Sequence, residues 1–255
     1  MFDVRAEAYD RFMGVYSAQL ASQLADLAEV HTGQRALDVG CGTGTLTEEL
    51  VARLGPDAVA AVDPSKSFVA AIRERQPGVD VRQSAAEALP FQDASFDAAL
   101  AQLVVHFMAD PVAGLREMAR VTRRDGVVAA CVWDHAGGRA PLSLFWQAAR
   151  ELDKGAKDES DLAGARAGHL AELSGAAGLH DVEERELVAS VTYARFEEWW
   201  EPYTAGIGPA GAYVRALDEE RREELRERCR RLLPDPPFTI DSVAWATKGL
   251  ELISE

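Results

Sequence analysis

The stretch Ala36 to Gly44, A-L-D-V-G-C-G-T-G, places a glycine-rich turn directly after an apolar run and directly before the helix-like segment Thr45 to Leu54. Gly40, Gly42 and Gly44 carry no Cβ, so the backbone can turn sharply there and approach a ligand closely. Asp38 stands at the end of the expected strand and faces that turn. The dinucleotide fingerprint G-x-G-x-x-G holds a pyrophosphate on the following helix N-terminus. Here the pattern is G-x-G-x-G followed by Thr45, and a further acidic residue, Asp63, ends the next apolar run in A-A-V-D-P-S.

Outward from this turn, strand and helix patterns alternate, which argues for a parallel sheet covered on both faces. Strands are expected at 35–39, 58–62, 79–83, 96–102 and 126–133. Helices are expected at 45–54, after Ser65 as N-cap, and from Asp110-Pro111 to Val121. Residues 141–178 read as helix and loop. Val182 to Tyr193 and Phe238 to Thr247 are strand-like and flank a mostly helical stretch at 196–233.

Taken together, D-x-G-x-G-x-G, V-D-P-S and the later S-A-A-E-A-L-P-F-Q-D-A-S-F-D resemble the ordered motifs of the class I S-adenosylmethionine-dependent methyltransferases, in the small-molecule, methyltransferase type 11-like branch. The resemblance covers about the first 135 residues. It implies an α/β, Rossmann-like, doubly wound, seven-stranded and mostly parallel sheet, with the last strand antiparallel and helical lid elements at both ends of the chain. In that frame 1–255 is a single domain, with a helical cap at 1–30, a cofactor-binding core at 35–135, a helical insert at 141–178 and a helical lid at 196–233.

The resemblance also implies roles. Asp38, Gly40, Cys41, Gly42 and Gly44 would receive the methionine part of S-adenosyl-L-methionine, and Asp63, with Pro64 and Ser65, both ribose hydroxyls. Ala86 and Glu87 would lie beside the adenine, and Gln102 and Leu103 under the methionine. Relatives often carry an aspartate two residues before the Glu87 position, where this chain has Ala85. They also often carry arginine where this chain has Val15, which leaves the cofactor carboxylate to backbone amides or Arg11. The segment A-E-A-Y-D-R-F-M-G-V-Y-S resembles a short helix that closes over the cofactor. Tyr9, Phe12 and Tyr16 share one face of it and serve either the core or the cofactor.

Other features have two readings. His106, four residues past Gln102, is either a general base at the substrate mouth or a packed residue. Phe196, Trp199, Trp200 and Tyr203 form one helical stripe. They are either core or, for Trp199, Trp200 and Tyr203, a wall for a planar, apolar methyl acceptor. Cys41 fits the turn as a small side chain, and the three cysteines show neither zinc spacing nor a disulfide framework.

Apolar residues at 47% and charged residues at 27% fit a globular chain able to bury a core. A net charge of −15 opposes binding to nucleic acid or anionic membrane. The arginine-rich run near 219–233 reads as a solvated helix face with Glu224 to Arg228 and Glu227 to Arg231 pairs. The amino-terminal residues show no secretory pattern, so a cytoplasmic location is expected. The rival readings are a nicotinamide-dependent oxidoreductase, a non-catalytic S-adenosylmethionine-binding protein, and a fold that supports some non-methyl reaction. Composition does not decide the acceptor, the atom methylated or the oligomeric state.

Overall fold

The structure, a computed structural model, describes residues 13–206 and 208–251. Its strands are β1 (Ala36–Val39), β2 (Val59–Asp63), β3 (Asp80–Gln83), β4 (Phe96–Gln102), β5 (Thr122–Trp133), β6 (His180–Tyr193) and β7 (Phe238–Leu250). They form one sheet in the order β3-β2-β1-β4-β5-β7-β6. β3 to β5 pair in parallel around β1, and β7 runs antiparallel to both β5 and β6. The expected seven-stranded, mostly parallel sheet with an antiparallel last strand is present.

The described helices are α1 (Val15–Leu27), α2 (Thr45–Leu54), α3 (Lys66–Arg75), α4 (Pro111–Val121), α5 (Ser143–Leu152), α6 (His169–Ala176), α7 (Phe196–Thr204), α8 (Gly208–Ala216) and α9 (Glu219–Leu232). Successive strand residues point to opposite faces, and the central strands are apolar on both. Ala36, Ala61 and Leu100 pack with Leu20, Leu50 and Ile72 beneath α1, α2 and α3. Leu37, Val62 and Ala99 pack with Leu115, Met118 and Leu170 beneath α4 and α6.

Local chemistry fixes the boundaries. Asp110 caps α4 by accepting from the Ala113 N–H at 3.0 Å, ahead of Pro111. Ser65 accepts from Phe68 N–H at the start of α3. β5 begins at Thr122 rather than at Gly126, because Thr122 already pairs with Phe96 before an irregularity in register.

Tyr193 pairs with Phe238, so the chain leaves and re-enters the sheet at one point, and α7, α8 and α9 lie between. These helices share an aromatic core with α5, in which Phe145 stacks on Tyr203 at 4.6 Å between ring centroids. On α9 the Glu224–Arg228 pair forms at 2.6 Å, but Glu227 pairs with Arg230, not Arg231. The face is also less solvated than expected: Arg226 and Arg230 reach Glu197, and the Arg230 guanidinium sits 4.2 Å from the Phe196 ring centre.

β6 is an edge strand, and an open edge exposes unpaired backbone groups. α1 closes part of it with side-chain amides. Gln19 donates to Ser190 O at 2.9 Å and accepts from Ser190 N at 3.0 Å. Gln23 does the same with Val188, at 2.8 and 3.1 Å.

Candidate functional site

The carboxyl ends of β1, β2 and β4 open into a cavity of about 760 Å³. The β1–α2 turn forms one wall. Gly40, Gly42 and Gly44 have φ of 74°, 51° and 97°, the left-handed region that favours glycine. The Gly40 and Cys41 amides both donate to Val62 O, at 2.8 and 2.9 Å, which ties the turn to β2. A Cβ on Gly40 would fall 2.5 Å from the Val104 side chain, so the close packing excludes one independently of φ.

Asp63, at the end of β2, is held by two backbone amides. Gly42 N–H donates to Oδ2 at 2.9 Å and Ser65 N–H to Oδ1 at 2.7 Å. Each carboxylate oxygen has further lone pairs, and Asp63 lines the cavity. Burial raises its pKa, against the two amides, which lower it. Asp38 is more deeply buried and accepts from the Thr47 hydroxyl at 2.6 Å. Desolvation pushes its pKa up to about 7, opposed by the Thr47 bond and assisted by the Asp63 charge. A cationic ligand group would lower both, since an opposite charge favours the ionised form.

Gln102, the last residue of β4, donates through Nε2 to Ser17 O at 3.0 Å. Its Oε1 is buried without a partner. A buried acceptor left unpaired costs about 1–3 kcal/mol, and this one belongs to a residue that lines the cavity, where a ligand N–H would satisfy it. Leu103 follows at φ 59°, with its amide fixed to Cys131 O at 2.9 Å. Positive φ in a residue with a Cβ is strained by about 1–3 kcal/mol and is a feature that clusters at ligand sites.

The sequence-derived residues divide accordingly. Asp38, Gly40, Cys41, Gly42, Asp63, Pro64, Ser65, Gln102 and Leu103 line this cavity, with Gly44 in the same turn. Ala86 and Glu87 do not line it. Ala86 packs in the core beneath α4, and Glu87 accepts from the Ala109 and Asp110 amides at 2.7 and 3.2 Å, a brace for the loop entering α4. His106 does not line it either, and its neighbour Phe107 does. The imidazole lies against Phe107 and faces His135 at 6.1 Å, with Nδ1 buried and unpartnered. Burial and then His135 bring its pKa down to about 3, so the ring is neutral at pH 7.

Tyr9, Arg11 and Phe12 lie outside the described residues. Tyr16, Trp199 and Tyr203 border a second, smaller cavity, whereas Trp200 belongs to the aromatic core between the helices. Sequence reasoning missed Ser17, Lys66, Phe68, Val104 and Phe107 as lining residues. Only Lys66 and Phe68 carried a signal, as the first turn after V-D-P-S. Ser17 arrives by tertiary packing of α1. Among the described residues no group of three or more His, Cys, Asp or Glu could hold a metal, and no helix is long and apolar enough to cross a membrane.

Comparison with known proteins gives one family match, two relatives and one solved structure. Residues 37–130 match the family model described as a methyltransferase domain. The chain is 33% identical over 139 residues to the malonyl-[acyl-carrier protein] O-methyltransferase of Erwinia pyrifoliae, covering 50% of this chain and 52% of that one. It is 37% identical over 151 residues to the demethylmenaquinone methyltransferase of Mycobacterium sp. (strain KMS), covering 57% and 63%. The chain thus spans about half to two thirds of the length of these relatives. Among solved structures, the YcgJ protein from Bacillus subtilis shares the fold with a TM-score of 0.60 at 19% identity, over 92% of this chain and 98% of that one.

Proposed function

We propose that the chain, whose residues 37–130 match a methyltransferase domain, is a class I S-adenosylmethionine-dependent methyltransferase that transfers a methyl group to a small-molecule acceptor. The observation that carries the reading is Asp63. Its carboxylate is fixed by the Gly42 and Ser65 amides over a cavity large enough for a nucleoside and its tail. Its remaining lone pairs would accept both ribose hydroxyls.

The rest of the lining fits the same group. Gln102 Oε1, buried and unpartnered, would accept from the methionine ammonium. The glycine turn lets backbone approach the methionine part without a Cβ in the way, and Asp38 and Asp63 make the floor acidic, which suits a ligand with two cationic centres. Leu103 and Phe107 supply apolar surface at the end of β4. When bound, S-adenosylmethionine supplies a methyl group on an already activated sulfonium. The protein's task is then to hold acceptor and methyl carbon in line, and orientation of that kind contributes roughly 7–11 kcal/mol in favourable cases.

His106 is neutral at pH 7, and a hydroxyl acceptor needs a base. Its ring packs against Phe107 and does not line the cavity, so it is not placed to act as that base. The acceptors named for the two relatives differ from each other and belong to those proteins. A net charge of −15 disfavours nucleic acid here. The test is incubation with S-adenosylmethionine and a panel of neutral aromatic hydroxyl compounds. The expected result is S-adenosylhomocysteine formed in step with a methylated product. Tight binding of S-adenosylhomocysteine with no turnover on any acceptor would instead indicate a non-catalytic binding protein.

A further inference from the structure

The second cavity holds about 230 Å³ and opens at the same carboxyl edge of the sheet. Tyr193, the last residue of β6, and Leu142, just before α5, line it together with Trp199 and Tyr203 of α7. α1 contributes to both cavities through consecutive residues: Tyr16 lines the second and Ser17 the first. The first turn of α1 therefore borders both cavities.

The polar groups lining this cavity include Thr192, Glu198, Tyr203 and a bonded pair of phenols. Tyr16 Oη and Tyr193 Oη lie 2.8 Å apart. Two hydroxyls carry two donor protons, and their mutual bond uses one. The other is left for a third oxygen or nitrogen. The rings are fixed by Trp133, edge-on to Tyr16 at 6.1 Å, and by Phe238, 5.6 Å from Tyr193. Burial raises both phenol pKa values, so the pair acts as a neutral donor and not as a base.

Size and charge narrow the occupant. An apolar cavity of about 150 Å³ accepts benzene, so 230 Å³ admits one substituted ring or two fused rings. The Glu198 carboxylate borders the cavity, held by Ala194 N–H at 3.0 Å and by Arg195. An anionic ligand would meet this charge.

We propose that the second cavity is the acceptor site, and that it takes a neutral planar compound of one or two rings whose oxygen accepts a hydrogen bond from the Tyr16–Tyr193 pair. This rests on the cofactor reading of the first cavity. The probe is 1-indanone, a neutral bicycle whose only polar atom is an acceptor. Indane serves as the apolar control and indane-1-carboxylate as the anionic one. Each is titrated calorimetrically into protein with and without S-adenosylhomocysteine.

The expected result is that 1-indanone binds at least tenfold more tightly than the carboxylate. The Tyr16→Phe/Tyr193→Phe variant should weaken 1-indanone at least fivefold and leave indane unchanged. Leu142→Trp, which fills the cavity, should abolish binding of both. All variants should bind S-adenosylhomocysteine within twofold of the parent. Absence of 1-indanone binding at millimolar concentration, or binding that ignores both variants, overturns the proposal while the cofactor reading stands. Failure of S-adenosylhomocysteine to bind, with 1-indanone behaving as described, overturns the cofactor reading and with it the acceptor role.

Discussion

Asp38, just before the glycine turn, and Gly40, within it, carry testable consequences. Asp38 titrates at about 7 in the folded protein against an ordinary value of 3.8. A raised carboxyl pKa means that the folded state binds the proton more tightly. Its contribution to stability is therefore fully present below about pH 4 and lost as pH rises to about 7. At about 1.4 kcal/mol per pH unit this amounts to at most about 4 kcal/mol. His106 and His135, with pKa values lowered to about 3 and about 4, act in the opposite sense, since their neutral folded forms favour folding as pH rises through the unfolded value. The informative quantity is the difference between parent and Asp38→Asn in ligand-free thermal melts from pH 4 to 8. The variant should gain on the parent as pH rises and level off above about 7, and a constant difference would refute the assignment. Gly40 makes a separate prediction. Gly40→Ala incurs about 1–2 kcal/mol from its left-handed backbone and must also displace Val104, 2.5 Å from the added Cβ. Adding Val104→Ala should recover the contact cost in chemical denaturation and leave the backbone cost. Full recovery would show that φ is not the constraint.

At the scale of elements, α1 is fastened to the β6 edge by Gln19 and Gln23, which act as a short surrogate strand. A net hydrogen bond is worth roughly 0.5–1.5 kcal/mol, and these are solvent-exposed. Gln19→Leu/Gln23→Leu should cost about 1–3 kcal/mol and accelerate hydrogen exchange at the Val188 and Ser190 amides before the rest of β6. Unchanged exchange there would mean that apolar packing alone seats α1. The cap of α4 at Asp110 and the two limits of α2 were legible in the sequence, because they rest on residues adjacent in the chain. The glutamine clamp was not, since Gln19 and Gln23 read as ordinary polar positions until β6 lies beside them. The same holds for Glu87, whose role is fixed by the Ala109 and Asp110 amides rather than by its own motif. The early start of β5 was hidden for a similar reason. Thr122 to Asp125 is polar and carries no strand pattern, and only pairing with Phe96 extends the strand.

Across the whole molecule, the sheet gathers at one edge the residues proposed to hold the cofactor. Asp38, Asp63 and Gln102 are separated in sequence but lie at the carboxyl ends of β1, β2 and β4, Asp38 one residue before the last, in neighbouring strands of the order β2-β1-β4. That grouping was legible because a parallel sheet puts all its strand ends on one side. The division of that edge into two cavities was not legible, because it depends on where α1 crosses and how α7 packs. Trp199 and Tyr203 illustrate the difference: one stripe serves both the aromatic core and a cavity wall, and helical spacing cannot separate the two. The most direct test of the central claim is a calorimetric titration of the parent and of Asp63→Ala with S-adenosylhomocysteine, with NADH and NADPH as controls. Hydrogen bonds to a charged group are worth about 1.5–3 kcal/mol each. With two at stake, the parent should bind S-adenosylhomocysteine alone, in the micromolar range, and Asp63→Ala should bind it at least about a hundredfold more weakly. Equal affinity in the two proteins, or binding of a nicotinamide cofactor in its place, would contradict the account.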